Sequence, residues 1–269
     1  MSSATAEAAT IDLAAENIVI KFGGLVAVNN VTFTIPHGSV VSLIGPNGAG
    51  KTTFFNVLTG LYKPTSGRVR FQDRDITALP PHQIAAMGVA RTFQNIRLFN
   101  LMTAEENVMV AMHSRMKAGI ISTLLTLPRQ RREERESREF ARELLEFVGV
   151  GGVADQYARN LSYGDQRRLE VARALALRPR VLLLDEPTAG MNPQESARFT
   201  EFVYRVRDEK DLSVLLIEHD MSVVMRVSDR ITVLDRGEKI AEGGPQEIRS
   251  NPRVVEAYLG KAGAEEAGA

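Results

Sequence analysis

Residues 45–53 read Gly-Pro-Asn-Gly-Ala-Gly-Lys-Thr-Thr, and this stretch is the strongest indication of the fold class of the chain. A short, largely apolar run, Val40–Ile44, comes before it, and a helical pattern from Lys51 to Leu61 follows. A glycine-rich loop between a buried strand and a helix is the setting of a phosphate-binding loop, whose backbone N–H groups turn toward the phosphates. The predicted nucleotide-binding residues are Gly45, Pro46, Asn47, Gly48, Ala49, Gly50, Lys51, Thr52 and Thr53.

Two acidic residues end a second buried strand. Val181–Leu184 is apolar, and Asp185 and Glu186 follow it directly. The pattern resembles the Walker B element of P-loop ATPases, in which one carboxylate holds Mg²⁺ and the next acts as general base for the attacking water. With the Thr52 hydroxyl as a further magnesium ligand, it predicts ATP and Mg²⁺ as cofactors. The alternative is that the two acids only cap the next helix.

Composition excludes several classes of function. Lys plus Arg and Asp plus Glu each total 33 in 269 residues, so no global basic charge favours nucleic acid. The chain has no cysteine, which excludes disulfides and thiolate metal sites. Its apolar runs fall short of the roughly 20 residues needed to cross a bilayer. We therefore expect that, if the chain serves a membrane, it does so from outside the lipid.

Strand and helix patterns alternate along the chain. Residues 18–35 alternate apolar and polar side chains around Gly23 and Gly24, which predicts an antiparallel hairpin. Helical patterns separate the later apolar strands, which predicts a mainly parallel sheet in an α/β fold. These strands are expected at 181–184, 213–217 and 230–235.

The domain organisation follows from this alternation. We predict a single domain at 15–260 that contains a helical subdomain at about 88–175. Residues 1–14 and 261–269 are small or polar and are expected to be disordered tails.

The segment Leu161-Ser162-Tyr163-Gly164-Asp165-Gln166-Arg167-Arg168 lies shortly before the acidic strand end. It resembles the signature sequence that separates ABC ATPases from other P-loop enzymes. A serine and a glycine at the start of a helix form another anion site. The resemblance covers most of the chain and implies an ABC-type nucleotide-binding domain with an antiparallel β subdomain and a helical subdomain. An ordinary N-cap serine is the alternative.

The ABC resemblance implies a composite ATP site. Ser162 and Gly164 of one subunit would close over ATP held by the phosphate-binding loop of a second, head-to-tail subunit, identical or different. Gln94, in Arg91-Thr92-Phe93-Gln94, resembles the Q-loop glutamine that touches Mg²⁺ and senses the permease, and His219 resembles the switch histidine. The implied catalytic residues are Glu186, His219 and Gln94, and the implied metal ligands are Thr52, Gln94 and Asp185.

Phe22 lies where this family places an aromatic residue that stacks on adenine. A core phenylalanine in an alternating strand is the alternative interpretation. Three positions depart from the common family pattern: Tyr163 replaces a glycine, Asp165 a glutamine and Asn192 an aspartate. Because an acidic side chain would repel a phosphate, we expect Asp165 to face away from ATP.

Three further segments, at 131–135, 189–193 and 251–260, are similar to the ATP-binding subunits of branched-chain amino acid importers. Importers of amides or urea have similar ATPases and remain an alternative. The resemblance implies permease transmembrane subunits and a second ATPase subunit as partners, with a solute-binding protein acting indirectly. It also implies a peripheral location on the cytoplasmic face of the cell membrane.

Other classes fit the sequence less well. A soluble ABC protein that works on nucleic acid would usually carry two cassettes or a long coiled-coil insert, whereas this chain has one cassette and no basic surplus. A P-loop GTPase would carry an Asn-Lys-x-Asp motif, which is absent. The charged stretch 129–142 is interpreted as a solvated helix face with ion pairs, and contact with anionic lipid or the permease is its alternative.

Overall fold

The computed structural model describes residues 10–112 and 128–258, without the side chains of 128–131 and Pro193. The chain folds into two compact units: unit 1 is Met1–Ile84 with Asn192–Ala269, and unit 2 is Ala85–Met191. Residues 1–9 of the predicted tail 1–14, and the whole predicted tail 261–269, lie outside the described residues.

The strands and helices of the described residues follow in chain order. The strands are β1 (Ile11–Phe22), β2 (Leu25–Pro36), β3 (Val40–Ile44), β4 (Ser66–Phe71), β5 (Arg74–Asp75), β6 (Val89–Arg91), β7 (Val181–Asp185), β8 (Ser213–Ile217), β9 (Arg230–Asp235) and β10 (Glu238–Gly243). The helices are α1 (Lys51–Leu58), α2 (Pro81–Met87), α3 (Ala104–Met112), α4 (Pro128–Phe147), α5 (Tyr163–Ala176), α6 (Pro193–Lys210), α7 (Met221–Val227) and α8 (Pro245–Ser250), and residues 252–258 are also helical.

An antiparallel sheet in unit 1 has the strand order β2-β1-β4-β5. β1 and β2 form the predicted hairpin, which pairs Phe22 with Leu25 across the two-glycine turn. The sheet begins earlier than the sequence predicted. Residues 11–14 belong to β1 and not to a tail, because Leu13 is fully buried and the Asp12 carboxylate accepts a 2.7 Å hydrogen bond from Ser213.

A second sheet in unit 1 positions the glycine-rich loop. β3 pairs in parallel with β8 on one side and with β9 on the other, and β10 pairs antiparallel with β9. All five residues of β3 are buried, as the sequence predicted for this strand. The loop at 45–53 therefore starts from the carboxyl end of a buried central strand, and α1 follows it directly.

Unit 2 contains the parallel pair β6 and β7 and the helices α3, α4 and α5. Pro128 is the first residue of α4. Proline is tolerated there because the first helical N–H needs no intrahelical acceptor. Apolar side chains that include Val108, Leu145 and Leu169 are buried in this unit.

The charged helix α4 combines exposed ion pairs with a buried one. Arg132 pairs with Glu136 in an exposed i,i+4 contact, as predicted for a solvated face. Glu105 on α3 is only 4% exposed, and both Arg138 and Arg142 of α4 pair with it, Arg138 at 3.0 Å. A buried carboxylate needs such partners, so Glu105 docks α4 onto α3.

Replacing Glu105 by Gln tests this docking. Glu105→Gln removes the charge that two arginines share, so we expect the free energy of unfolding to fall by about 1.5–3 kcal/mol, the value of a hydrogen bond to a charged group. The matched control Glu136→Gln breaks an exposed pair and should cost about 0–1 kcal/mol. Urea unfolding of both variants measures the difference. Equal midpoints would show that Glu105 contributes no more than a surface pair.

Candidate functional site

The phosphate-binding loop starts at a position that only glycine can occupy. Gly45 has φ +149°, and a Cβ built on it would lie 2.0 Å from the carbonyl oxygen of Leu234 in β9. Gly50, the residue before α1, is left-handed with φ +95°, and its Cβ would lie 2.6 Å from the Ala27 carbonyl oxygen. The loop is therefore packed directly against the backbone of β9 and β2, where only glycine fits.

The N-terminus of α1 is arranged to receive an anion. The N-cap residue of α1 is Gly50, which has no side chain with which to cap the helix. The ammonium of Lys51 donates to the carbonyls of Gly45 (2.7 Å) and Pro46 (3.0 Å), which holds this cation over the loop. Asn47 and Gly48 are exposed. Amide donors, helix dipole and cation thus converge on one exposed turn, which fits the phosphates of a nucleotide.

Phe22 is exposed, so the core interpretation of this residue is wrong. Its side chain is 48% accessible and meets Tyr62 edge to face, with ring centroids 5.5 Å apart. Phe22 and Tyr62 thus present two adjacent aromatic rings at the surface. Sequence analysis missed Tyr62, because only the fold brings it beside Phe22.

In unit 2 the first acidic residue of the Walker B pair is buried beside a cation. The Asp185 side chain is 5% exposed, and Arg91 Nη2 lies 3.6 Å from its Oδ2. The Asp185 backbone N–H donates to the Thr92 hydroxyl at 3.3 Å. Burial lowers the pKa of Arg91, and the charge of Asp185 opposes that shift. The site at Asp185 therefore already accommodates positive charge.

Glu186, the second acidic residue, contacts the predicted Q-loop glutamine. Gln94 Nε2 donates to Glu186 Oε2 at 3.1 Å. The Glu186 backbone has φ +45°, a left-handed conformation that is uncommon for a residue with a side chain. Such strain is typical of functional positions, where the surrounding structure holds a side chain in a required direction.

The signature segment begins α5 with a capped turn. Ser162 Oγ accepts from the Asp165 backbone N–H (3.2 Å) and donates to Asp165 Oδ2 (2.7 Å). Arg168 pairs with the other carboxylate oxygen of Asp165 at 2.6 Å, so a basic side chain balances the unexpected acid. A Cβ added to Gly164 would meet no described atom within 4 Å. Gly164 thus leaves open space next to Ser162.

His219 follows β8, and its side chain is 63% exposed. The neighbouring Glu218 is fully buried and accepts hydrogen bonds from the backbone N–H groups of His219 (2.9 Å) and Asp220 (3.3 Å). Glu218 therefore holds the backbone of the turn that carries His219. Asn192, the third departure from the family pattern, caps α6 by accepting from the N–H groups of Gln194 and Glu195.

The two units divide the predicted site residues between them. Phe22, the loop at 45–53 and His219 belong to unit 1, and the remaining candidates belong to unit 2. These remaining candidates are Gln94, Ser162, Gly164, Asp185 and Glu186.

The ligands predicted for Mg²⁺ are oxygen donors, taken residue by residue. Within residues 10–112 and 128–258, no three His, Asp or Glu side chains cluster as a ready-made metal site. The predicted set is instead the Thr52 hydroxyl, the Gln94 amide oxygen and the Asp185 carboxylate. Mg²⁺ prefers such hard oxygens and is usually held by one or two carboxylates together with substrate phosphates.

No described helix is both long and apolar enough to cross a bilayer.

Comparison with known proteins agrees with this geometry. A family model described as ABC transporter matches residues 28–189, and one described as branched-chain amino acid ATP-binding cassette transporter matches residues 238–264. The chain is 50% identical, over 93% of its length and 98% of the relative's, to the high-affinity branched-chain amino acid transport ATP-binding protein LivG of Salmonella typhimurium.

Two solved structures of ATP-binding cassettes have a fold similar to that of this chain. The ADP conformation of MJ1267, an ATP-binding cassette of an ABC transporter, superposes with TM-score 0.81 at 34% identity, over 93% of this chain and 99% of that one. A dimeric post-hydrolysis state of the cassette MJ0796, bound to ADP and Pi, gives TM-score 0.73 at 27% identity, over 87% and 98%. The loop, the acidic strand end and these similarities lead to one conclusion: the chain belongs to the ABC transporter ATP-binding proteins, in the branched-chain amino acid transporter family.

Proposed function

We propose that the chain binds Mg-ATP in a head-to-tail dimer and powers uptake of branched-chain amino acids through a partner permease. As a member of its family it is an ATPase whose hydrolysis is coupled to transport. The main support for the proposal is that two helices begin at the residues predicted to bind phosphate: α1 follows the glycine-rich loop, and Ser162 and Gly164 lie at the start of α5. Each offers donors to one side of a triphosphate.

Each half-site has its own task in this proposal. The loop amides and Lys51 hold the phosphates of ATP, and Phe22 stacks on the adenine. Thr52 and Asp185 offer oxygens to Mg²⁺, which when bound neutralises charge on the phosphates. Ser162 and Gly164 act on ATP held by the other subunit.

Glu186 is the proposed general base. It takes a proton from the water that attacks the terminal phosphate, and the bond from that phosphorus to the bridging oxygen of ADP breaks. Gln94 donates to Glu186 Oε2, which orients the carboxylate. His219, on its exposed turn, is the proposed contact for the terminal phosphate.

The permease proposal is supported by an apolar surface in unit 2. Phe99, Leu101, Met102 and Tyr157 are all exposed. Two backbone segments carry them, and these segments are joined by a hydrogen bond from Ala158 N–H to the Met102 carbonyl at 2.9 Å. Contiguous exposed apolar side chains mark interaction sites. Binding of the permease to this apolar surface would hold the chain on the cytoplasmic face of the membrane. The contact would lie next to the chain segment that begins at Gln94.

The solute is proposed from the relatives alone. LivG is named for high-affinity branched-chain amino acid transport, and it is half identical to this chain. We infer that the permease and the solute-binding protein choose the solute.

Phe22→Ala tests adenine stacking. Because a base–aromatic stack is worth about 1–3 kcal/mol, we expect ATP to bind more weakly by that amount, with no change for inorganic triphosphate. Leu25→Ala is the matched control, since Leu25 is an exposed apolar residue paired with Phe22 across the hairpin. Titration calorimetry measures both ligands. Equal losses for ATP and triphosphate would assign Phe22 to the structure of the loop.

Glu186→Gln tests the general base. The substitution keeps the shape of the side chain but removes its basicity, so turnover should fall by roughly 10²-fold or more while ATP affinity is retained. Glu209→Gln, on the exposed face of α6, should turn over at the normal rate. Steady-state phosphate release measures kcat. A Glu186→Gln protein with near-normal kcat would move the role to another residue, with His219 the next candidate.

Nucleotide-dependent assembly tests the composite site and the proposed function as a whole. Glu186→Gln protein, alone and with its partner ATPase if that is a different chain, should dimerise on a sizing column with Mg-ATP but not with Mg-ADP. Adding Ser162→Arg should abolish the dimer because it fills the second anion site, and Ser250→Arg, at the end of α8, should not. A monomer in both nucleotides with every partner, or a dimer indifferent to nucleotide and to Ser162→Arg, contradicts the proposal.

A further inference from the structure

Two opposite charges are buried on the signature helix α5. Arg167 and Glu170 are each 5% exposed, and their closest atoms, Arg167 Nη1 and Glu170 Oε2, are 3.4 Å apart. One long contact does not satisfy a buried guanidinium, which has five N–H donors, or a buried carboxylate. The other hydrogen-bond partners of Arg167 and Glu170 therefore show which part of the protein the pair stabilises.

Those partners include backbone groups of two adjacent residues. Arg167 donates to the carbonyl of Phe93 (2.8 Å, from Nη1) and to that of Gln94 (2.5 Å, from Nη2), and Glu170 Oε1 accepts from the Phe93 N–H (3.1 Å). Phe93 and Gln94 follow β6 and lie outside any strand or helix, so no ladder holds these groups. Three backbone groups of Phe93 and Gln94 are thus held by α5 side chains.

Tyr163, one turn earlier on α5, orients the guanidinium. Its hydroxyl accepts from Arg167 Nε at 3.2 Å and from Nη2 at 2.9 Å, and its ring centroid lies 5.4 Å from the guanidinium carbon. A glycine, the usual residue of the signature at this position, would supply none of these contacts. Tyr163 therefore replaces a family glycine with a residue that belongs to the same network.

The backbone held in this way carries the side chain that reaches the proposed base, since Gln94 Nε2 donates to Glu186 Oε2 at 3.1 Å. We propose that Arg167 and Glu170, oriented by Tyr163, are positioning residues that hold the Phe93–Gln94 backbone so that the Gln94 amide reaches Glu186. This rests on the proposed roles of Gln94 and Glu186. The signature helix then acts on its own subunit's catalytic carboxylate, in addition to its proposed contact with ATP across the dimer.

A double-mutant cycle in the purified full-length protein tests this. Arg167→Met removes the donors at similar volume, and Gln94→Ala removes the side chain through which Arg167 is proposed to act. We expect each to lower kcat for ATP by about 10- to 100-fold with KM nearly unchanged, since small misplacements of catalytic groups cost that much. The double variant should be no slower than Gln94→Ala alone. Arg205→Met, in an exposed pair on α6, is the control and should leave kcat unchanged.

Two milder variants keep the test decisive if Arg167→Met does not fold. Tyr163→Phe removes only the hydroxyl, so it should lower kcat less and also lose its effect in the Gln94→Ala background. Arg167→Lys keeps the charge but not the bidentate fork, so it should not restore kcat. Hydrogen exchange at the Phe93 amide should be faster in Glu170→Ala than in the parent protein.

The outcomes separate this inference from the proposed function. The positioning role would be overturned if the losses of kcat in the two single variants added up in the double variant. It would also be overturned if Arg167→Met kept full kcat while Gln94→Ala was slow. Either outcome would leave the proposed role of Gln94 unchanged. Restoration of kcat by Arg167→Lys would reduce the role to charge alone and overturn the backbone clamp. Full activity of Gln94→Ala would remove the proposed role of Gln94 and this inference with it.

Discussion

The close packing of Gly45 against the Leu234 carbonyl is the constraint on which the phosphate-binding loop depends. β3 is buried between two parallel neighbours, and the loop must leave its carboxyl end where β9 leaves no room for a Cβ. The left-handed Gly50 then turns the chain into α1, and Lys51 reaches back to the first carbonyls of the loop. Backbone packing therefore shapes the predicted phosphate-binding loop, and the Lys51 ammonium adds one positive charge to it.

Buried charges organise unit 2 in a comparable way. Asp185 is paired with Arg91, Glu105 with Arg138 and Arg142, and Arg167 with Glu170. A buried charge without a partner costs several kcal/mol, so each pair restricts where its backbone can lie. The segment that carries Gln94 lies between two of these pairs, which gives an irregular loop a defined conformation next to Glu186.

The sequence predicted some parts of this architecture well because their signals are local. The period-two pattern and the Gly23-Gly24 turn are enough to specify the hairpin, and the glycine spacing is enough to specify the loop. The predicted tail boundary at residue 14 was wrong because Asp12 is held by residues far away in the sequence. Its hydrogen-bond partners His37 and Ser213 lie 25 and 201 positions away. Periodicity could not tell an exposed Phe22 from a buried one, and only its exposure excluded the core alternative.

The fold class, the glycine-rich loop, the acidic strand end and the family could be predicted from sequence because each depends on residue types at fixed spacing. Tertiary structure alone decided which side chains meet: Tyr62 beside Phe22, Arg91 beside Asp185, and Arg167 on the carbonyls of Phe93 and Gln94. The physical reason is that such contacts join residues up to 94 positions apart, as Arg91 and Asp185 are, and depend on how helices and strands pack. No local sequence pattern predicts a contact between residues so far apart in the chain.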